Sequence, residues 1–248
     1  MYQKRTYRDR MISDRFHFFT VQYMETDLWI GVDNDSYAVT MPEVVYKQVV
    51  KLRQEFNDYY RIDPDFFASL KPVITAKAAS NYFSRMCKTS SQTGVGPMAG
   101  IAGLFAEETG KQLLEKFSIR ELVIENGGDC FISVKEPLTV HIFAGESPLS
   151  EKVGIILENG SSSLGICTSS GSVGHSKSFG KADAVMVVSP DTVLADQYAT
   201  AICNQIQSSE DIEKKLDVVE QNDELYAVAI IMGDKIGYRG DFKMDFIS

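Results

Sequence analysis

The stretch ELVIENGGDCFISV, residues 121–134, has the pattern of a β-hairpin. Its flanks, Glu121 to Glu125 and Cys130 to Val134, carry β-branched and aromatic residues, which favour strands. The Asn126-Gly127-Gly128-Asp129 segment between them is typical of a tight turn, because asparagine and glycine tolerate the positive φ angles that such turns need. We therefore expect two antiparallel strands here, joined by this turn.

The elements on either side of the hairpin occur in groups instead of alternating. The spacing of apolar residues predicts helices at Thr40 to Tyr60, Lys71 to Cys87, Pro97 to about Lys116 and Pro190 to about Gln207. Further strands are predicted at residues 16–23, 27–32, 138–143, 153–158, 184–189, 226–232 and 237–242. This grouping favours the α+β class. We treat residues 1–248 as a single domain, in which an internal boundary would fall near residues 118–120.

The composition excludes several classes of protein. With 44% hydrophobic and 24% charged residues, the chain has the balance of an ordinary globular protein. Its net charge of −9 argues against nucleic acid as a partner, since phosphate contacts need clustered Lys and Arg. A membrane span is not expected, because no run of about 18 apolar residues occurs. The four cysteines are far apart and indicate free thiols in a cytoplasmic protein: Cys87, Cys130, Cys167 and Cys203.

The helix from Pro190 to Gln207 offers a first candidate site. Asp196 and Thr200 are four residues apart, so a carboxylate and a hydroxyl lie on the same face of this helix. Oxygen ligands of this kind suit Mg²⁺. The alternative is that both residues belong to the solvated face of an amphipathic helix.

A serine- and glycine-rich loop, Gly165 to Gly180, offers a second candidate site. Its hydroxyl groups and unhindered main-chain N–H groups suit a phosphate or another anion. The alternative is a surface loop without a ligand. The Asn126-Gly127-Gly128-Asp129 turn is a weaker candidate, because a hairpin alone accounts for its residues.

Four motifs occur in the order found in the ApbE-type flavin transferases, and the chain resembles that superfamily. They are GIAGLFAEE at residues 100–108, NGGD at 126–129, TSSG at 168–171 with His175 after it, and ADQYAT at 195–200. The whole chain is more closely similar to an ApbE-like family that has Glu25-Thr26-Asp27-Leu28 near its start and Val95-Gly96-Pro97-Met98-Ala99 further on. That family has been associated with sulfur assimilation and homocysteine formation.

The resemblance implies an α+β core of mixed or antiparallel sheets packed against helices, with a ligand cleft between its two halves. It also implies a Mg²⁺ ion held by Asp196, Thr200 and the main-chain carbonyl of Ala102. In the transferases such an ion neutralises the pyrophosphate of FAD while FMN passes to a Thr or Ser hydroxyl of a partner protein. The ligand-binding residues that correspond here are Gly127, Gly128, Asp129, Thr168, Ser169, Ser170, Gly171 and His175.

The chain also departs from the transferases. Their Lys-Gly pair is replaced here by Gly103-Leu104, so a positive charge close to the ligand is lost. Their longer histidine motif is reduced to His175-Ser176-Lys177-Ser178-Phe179-Gly180. The resemblance therefore predicts the class of ligand, a flavin or another nucleotide, and leaves the transfer reaction open.

Two further hypotheses come from other classes of function. In the first, Cys167 carries a persulfide in sulfur assimilation, because nearby main-chain donors would lower the pKa of its thiol. Cys167, His175 and Asp196 are accordingly the candidate catalytic residues. In the second, the chain is an interaction protein without chemistry of its own, and binds a partner protein or a second copy of itself.

Overall fold

A computed structural model of the chain describes residues 5, 7–8, 13–74, 79–158, 163–172 and 178–246. Within these ranges the strands form two antiparallel sheets, a large one of eight strands and a small one of three. The strands are β1 (Phe16–Tyr23), β2 (Thr26–Asp33), β3 (Leu122–Asn126), β4 (Asp129–Ser133), β5 (Leu138–His141), β6 (Val153–Leu157), β7 (Leu164–Ser169), β8 (Ala184–Ser189), β9 (Ala227–Met232), β10 (Lys235–Gly240) and β11 (Lys243–Phe246).

The strand order of the large sheet is β1-β2-β3-β4-β7-β8-β9-β10, and that of the small sheet is β11-β6-β5. The helices are α1 (Met41–Tyr60), α2 (Pro64–Ala68), α3 (Asn81–Thr93), α4 (Ile101–Lys116), α5 (Thr192–Gln205) and α6 (Ile212–Leu216). A short 3-10 turn, Pro97–Gly100, leads into α4. Strands and helices are grouped along the chain, which confirms the α+β class.

The large sheet lies between two layers because its strands are apolar on both faces. On β8, Val185 and Val187 pack in the core under α5, whereas Met186 and Val188 pack in the core under the small sheet. Alternate residues of a strand point to opposite faces, so one strand of six buried residues serves both cores. Helices α1, α3 and α4 cover the β2 and β3 end of the same sheet.

The hairpin predicted at residues 121–134 is present as β3 and β4. Its register pairs Asn126 with Asp129 across the turn, and both turn glycines have positive φ, +74° at Gly127 and +102° at Gly128. Residues 118–120 lie between α4 and β3, and β3 is hydrogen-bonded to β2 from the first part of the chain. The large sheet thus contains strands from both sides of the boundary considered at residues 118–120. The single domain stays a prediction.

The helix predicted from Lys71 to Cys87 is wrong at both ends. The helix observed there, α3, begins at Asn81 and continues through the polar residues to Thr93, while residues 75–78 lie outside the described ranges. Its hydroxyl side chains bond to the preceding turn, as in the contact from Thr93 Oγ1 to the Thr89 carbonyl at 3.0 Å. Among the described residues, no helix is long and apolar enough to cross a membrane.

Candidate functional site

Helices α4 and α5 touch where α4 begins, and a glycine permits the contact. A Cβ atom on Gly103 would lie 2.6 Å from the main-chain oxygen of Thr192 and 3.1 Å from Cβ of Asp196. Because the helices approach this closely, the carboxylate of Asp196 accepts a hydrogen bond from the Gly103 N–H at 2.9 Å. Asp196 is 7% exposed, so the solvated face considered for this residue is excluded.

The glycine turn between β3 and β4 reaches the same place from the sheet. Asn126 Nδ2 donates to the main-chain carbonyl of Ala102 on α4, at 3.0 Å. Asp129 shares a face of β4 with Phe131, which packs in the helical core, so its side chain points toward the helices. The turn therefore brings Asn126 and Asp129 to the beginning of α4.

Asp129 and Asp196 form a buried pair of acidic side chains. Burial, together with the negative charges of Asp196 and Glu125, raises the pKa of Asp129 well above its ordinary value. Burial also raises the pKa of Asp196 to about 7, although hydrogen bonds from the Gly103 and Ala102 N–H groups act in the opposite direction. The site thus holds two carboxyl groups whose ionised forms are disfavoured in the protein alone.

One oxygen of this pair lacks a hydrogen-bond donor. Oδ1 of Asp129 is buried and has no hydrogen-bond partner among the described residues. A buried polar atom without a partner is costly, and native proteins contain few of them. A bound cation would give this oxygen a partner and would compensate both carboxylates.

The structure places most of the predicted ligand-binding residues near this pair. Cys167 on β7 is paired with Asp129 on β4, so the end of β7 and the residues after it, Thr168 to Gly171, adjoin the glycine turn. A Cβ on Gly128 would lie 3.5 Å from the Thr168 carbonyl, and the Thr168 N–H donates to Asp129. Thr200 follows Asp196 by four residues on α5 and is half-buried. His175 lies outside the described residues.

The loop after β7 is held by a close backbone approach. A Cβ on Gly171 would lie 2.0 Å from the main-chain oxygen of Gly180, so only glycine fits there. Ser169 is buried beside the Cys203 thiol, and Ser172 donates to Asp183 at 3.0 Å. The described part of the loop is therefore attached to its neighbours, and whether it binds a ligand stays a prediction.

The cysteines differ from the expectation of a reactive thiol. Cys167 is fully buried, and its thiol donates to the Thr192 carbonyl at 3.5 Å. Burial, and then the negative charges of Asp129 and Asp196, raise its pKa, whereas the persulfide hypothesis needs a lowered pKa. Burial also raises the pKa of Cys203. Main-chain donors do not govern these thiols, because burial removes both from water and negative charges lie close to Cys167.

Two contributors to the site were not assigned a role from the sequence. Asn126 was interpreted only as a turn residue, although it holds the Ala102 carbonyl. Gly103 was interpreted as the loss of a lysine, although it permits the approach of α5 and supplies an N–H to Asp196. The alternation of β3 could have indicated a buried role for Asn126, because alternate residues of a strand share a face and Leu122 and Ile124 are buried.

Comparison with known proteins identifies the family. A family model described as "AbpE bacteria" matches residues 8–229. Proteins named UPF0280 are similar along most of the chain. One from Methanocaldococcus jannaschii is 33% identical over 221 residues, covering 87% of each chain. One from Archaeoglobus fulgidus is 38% identical over 188 residues, covering 76% of this chain and 75% of its own.

Solved structures share the fold at low sequence identity. The flavin transferase ApbE from Vibrio cholerae superposes with a TM-score of 0.60 at 12% identity, covering 91% of this chain and 97% of its own. The flavinyl transferase ApbE from Pseudomonas stutzeri superposes with a TM-score of 0.54 at 13% identity, covering 93% of this chain and 96% of its own. With the family match over residues 8–229, the chain belongs to the AbpE bacteria family, and it shares its fold with these ApbE flavin transferases.

Proposed function

We propose that this protein binds Mg²⁺ together with a flavin nucleotide at the buried Asp129 and Asp196 pair. The observation that carries the proposal is this pair itself. Two carboxyl groups are buried against each other, and Oδ1 of Asp129 has no hydrogen-bond partner in the described chain. Such an arrangement is costly for the protein alone and becomes favourable when a divalent cation compensates the charge.

The donor groups at the site fit Mg²⁺, because all of them are oxygens. Asp196, the Thr200 hydroxyl and the Ala102 carbonyl would hold the ion, with Asp129 close by. Within the described residues no three His, Cys, Asp or Glu side chains are grouped as ligands, so main-chain, hydroxyl and ligand oxygens would complete the coordination. Mg²⁺ typically keeps few protein ligands and takes the rest from water and phosphate. When bound, it would neutralise negative charge on the phosphate oxygens of the nucleotide.

The nucleotide would lie along the edge where the glycine turn and the end of β7 meet. Gly127 and Gly128 carry no side chains there, and Thr168 to Gly171 adjoin them. Small residues of this kind let a phosphate approach the backbone. The related structures are named flavin transferases, which supports a flavin over other nucleotides.

We limit the proposal to binding and do not extend it to FMN transfer. In the transferases a lysine precedes the glycine of the helix, and Gly103 stands at that place here. A side chain at Gly103 would meet the Thr192 carbonyl at 2.6 Å, and Leu104 is buried in the core. The helix contact in this protein therefore leaves no room for a basic side chain at this position.

Titration calorimetry with MgCl₂, and then with FAD in the presence and absence of Mg²⁺, tests the proposal. We expect heat from both ligands, and FAD binding that weakens when the ion is removed. Thr200→Val removes one proposed ligand at constant shape, and should weaken Mg²⁺ binding by at least about tenfold. Thr139→Val, at an exposed position on β5, is the matched control and should bind like the wild type.

Two results would contradict the proposal. One is a wild-type protein that gives no heat with Mg²⁺ and no change in FAD fluorescence. The other is an equal effect of Thr200→Val and Thr139→Val on Mg²⁺ affinity, with both variants folded by circular dichroism. The first result would favour the hypothesis of an interaction protein without a nucleotide ligand.

A further inference from the structure

Two more acidic residues are buried on the other face of the large sheet. Glu125 on β3 and Asp27 on β2 alternate with Ile124 and Leu28, which pack in the helical core. Their side chains therefore point away from the helices. The side chains of Glu125 and Asp27 are 1% and 5% exposed, so both need compensating partners.

Three residues near the start of the chain supply these partners, and we call Arg5, Tyr7 and Arg8 the N-terminal clasp. Arg8 donates from Nε to Glu125 at 2.6 Å and from Nη1 to Asp27 at 2.9 Å, so one guanidinium joins both carboxylates. The Tyr7 hydroxyl donates to Oε1 of Glu125 at 2.7 Å. Arg5 donates to the main-chain carbonyl of Asp27 at 2.6 Å.

Glu125 connects the clasp to the glycine turn. The same Oε1 atom that accepts from Tyr7 also accepts from the Gly128 N–H, at 2.7 Å. Arg5 also borders the turn, since a Cβ on Gly127 would lie 3.2 Å from its Nη2 atom. The residue after Glu125 is Asn126, which holds the Ala102 carbonyl. The hydrogen bonds of the clasp thus end on Glu125 and Gly128 of the hairpin, and the peptide bond after Glu125 connects them to Asn126 at the proposed cation site.

We propose that the N-terminal clasp positions the Asn126–Asp129 turn and, through it, the groups that hold the cation. The first part stands on the contacts above, whereas the second rests on the proposed function. Arg8 and Tyr7 are positioning residues in this proposal, because they act through Glu125 and do not reach the ligand. The role also accounts for Asp27 of the Glu25-Thr26-Asp27-Leu28 motif, which the nucleotide site alone leaves unexplained.

The chain provides a matched control for a purely structural role. Arg15 donates from Nε to Glu121 at 2.6 Å, and the side chain of Glu121 is 4% exposed. This pair also joins an early arginine to a buried glutamate, but Glu121 precedes β3, while Glu125 lies at its turn end. The two glutamates are about 13 Å apart along an extended chain. Breaking the Arg15 contact should therefore affect stability and leave the turn in place.

The experiment compares Arg8→Lys and Tyr7→Phe with Arg15→Lys. Lysine keeps the positive charge near Glu125 and Asp27 but lacks the planar fork that joins both, so the change tests geometry rather than charge. We expect Arg8→Lys to weaken Mg²⁺ binding by about tenfold, as outer partners of metal ligands do, and Tyr7→Phe by less. Hydrogen exchange at the Gly128 amide should become faster in both. Arg15→Lys should change neither quantity, even where it lowers the melting temperature.

The outcomes separate this inference from the proposed function. Unchanged exchange at Gly128 and unchanged Mg²⁺ affinity in Arg8→Lys would overturn the inference, as would an equal response of Arg15→Lys. If the wild type binds no Mg²⁺ while Arg8→Lys still loses protection at Gly128, the proposed function fails and the positioning of the turn stands.

Discussion

Asp196 on α5 accepts a hydrogen bond from the main-chain N–H of Gly103, the third residue of α4, at 2.9 Å. The N–H groups of the first turn of a helix have no partner within it, and Gly100 at the cap position has no side chain to offer. Asp196, 93 residues later in the chain, therefore caps α4 from another helix. A carboxylate is favoured there by the helix dipole. The same side chain is thus a structural cap and the proposed cation ligand.

Neutralising Asp196 separates these two roles. Asp196→Asn keeps an oxygen for the Gly103 N–H but removes a charge that burial disfavours. Without a cation at pH 8, we expect the free energy of unfolding of this variant to exceed that of the wild type by about 1 kcal/mol. This difference corresponds to a rise of about 2–4 °C in melting temperature. Millimolar Mg²⁺ should stabilise the wild type but not Asp196→Asn. Thermal unfolding of both proteins with and without MgCl₂ measures this difference.

The exposed Asp234 is the control for that change, since Asp234→Asn should leave both the melting temperature and the response to Mg²⁺ as in the wild type. A variant at Asp196 that loses stability yet keeps its response to Mg²⁺ would mean that the residue is only a helix cap.

Gly103→Ala should be destabilising, although alanine is the better helix former by about 1 kcal/mol. The new Cβ would lie 2.6 Å from the Thr192 carbonyl, so α4 and α5 must separate and Asp196 moves with α5. We expect a loss of about 1–3 kcal/mol in urea unfolding together with weaker Mg²⁺ binding.

Gly110→Ala, seven residues further along the same helix, is the matched control for the change at Gly103. Its Cβ would lie 2.2 Å from the Phe131 ring, so it should destabilise by a similar amount without an effect on Mg²⁺ affinity per folded molecule. Equal weakening of Mg²⁺ binding by both alanines would remove the special role given to the α4–α5 contact.

Most of the strands and the hairpin were predictable because their patterns are local, whereas β11 was missed and residues 165–169 of β7 were assigned to a loop. The turn glycines and the short apolar runs of β3 and β8 are local signals that tertiary contacts do not override. The helix cap at Asp191 was predictable for the same reason, and its carboxylate accepts from the Leu194 N–H at 2.9 Å. At the start of α1, Thr40 and Glu43 have the spacing of a capping box, but the Thr40 side chain makes no cap hydrogen bond and Glu43 pairs with Lys47 at 2.6 Å.

The site was predictable only in part, because it depends on contacts between distant segments. The spacing of Asp196 and Thr200 predicts a shared helix face, but not whether that face is buried. Its burial follows from Gly103, whose missing side chain lets the helices meet. The arginines that hold Asp27 and Glu125 are 19 and more residues away along the chain, and no local pattern marks such pairs. Only the folded sheet brings them together.

The thiols should be unreactive in the folded protein. All four cysteines are buried, and burial raises the pKa of Cys87 from 9.0 to about 11, which lowers its thiolate fraction about 100-fold at pH 8. The pKa of Cys167 is also raised, by burial and by two carboxylates. We expect native protein to react with a thiol reagent at least about 100-fold more slowly than protein in urea.

Mass spectrometry after exposure to polysulfide, from which a thiolate can accept a sulfur atom while a shorter polysulfide leaves, extends this test to the persulfide hypothesis. No added sulfur is expected on Cys167 of the folded wild type, and Cys167→Ser should give the same spectrum at the other cysteines. Rapid modification of Cys167 in the native protein would show that β7 opens to solvent and would revive a role in sulfur transfer.

The loss of stability in acid should depend on Glu121. Burial alone would raise the pKa of this residue, but hydrogen bonds from Arg15 and from the Glu136 and Lys135 amides outweigh it and lower the pKa to about 2. A carboxyl group whose pKa is lower in the folded state stabilises the fold above its unfolded pKa of about 4.5, and this contribution disappears as the pH falls toward 2.

Glu121→Gln should therefore be less stable than the wild type at pH 7, and the difference in free energy of unfolding should shrink between pH 4.5 and 2. Urea unfolding at each pH measures this difference. Glu136→Gln changes an exposed side chain, so its free energy of unfolding should vary with pH as that of the wild type does over this range. A difference between Glu121→Gln and wild type that stays constant with pH would mean that Arg15 and the two amides do not lower the pKa of Glu121.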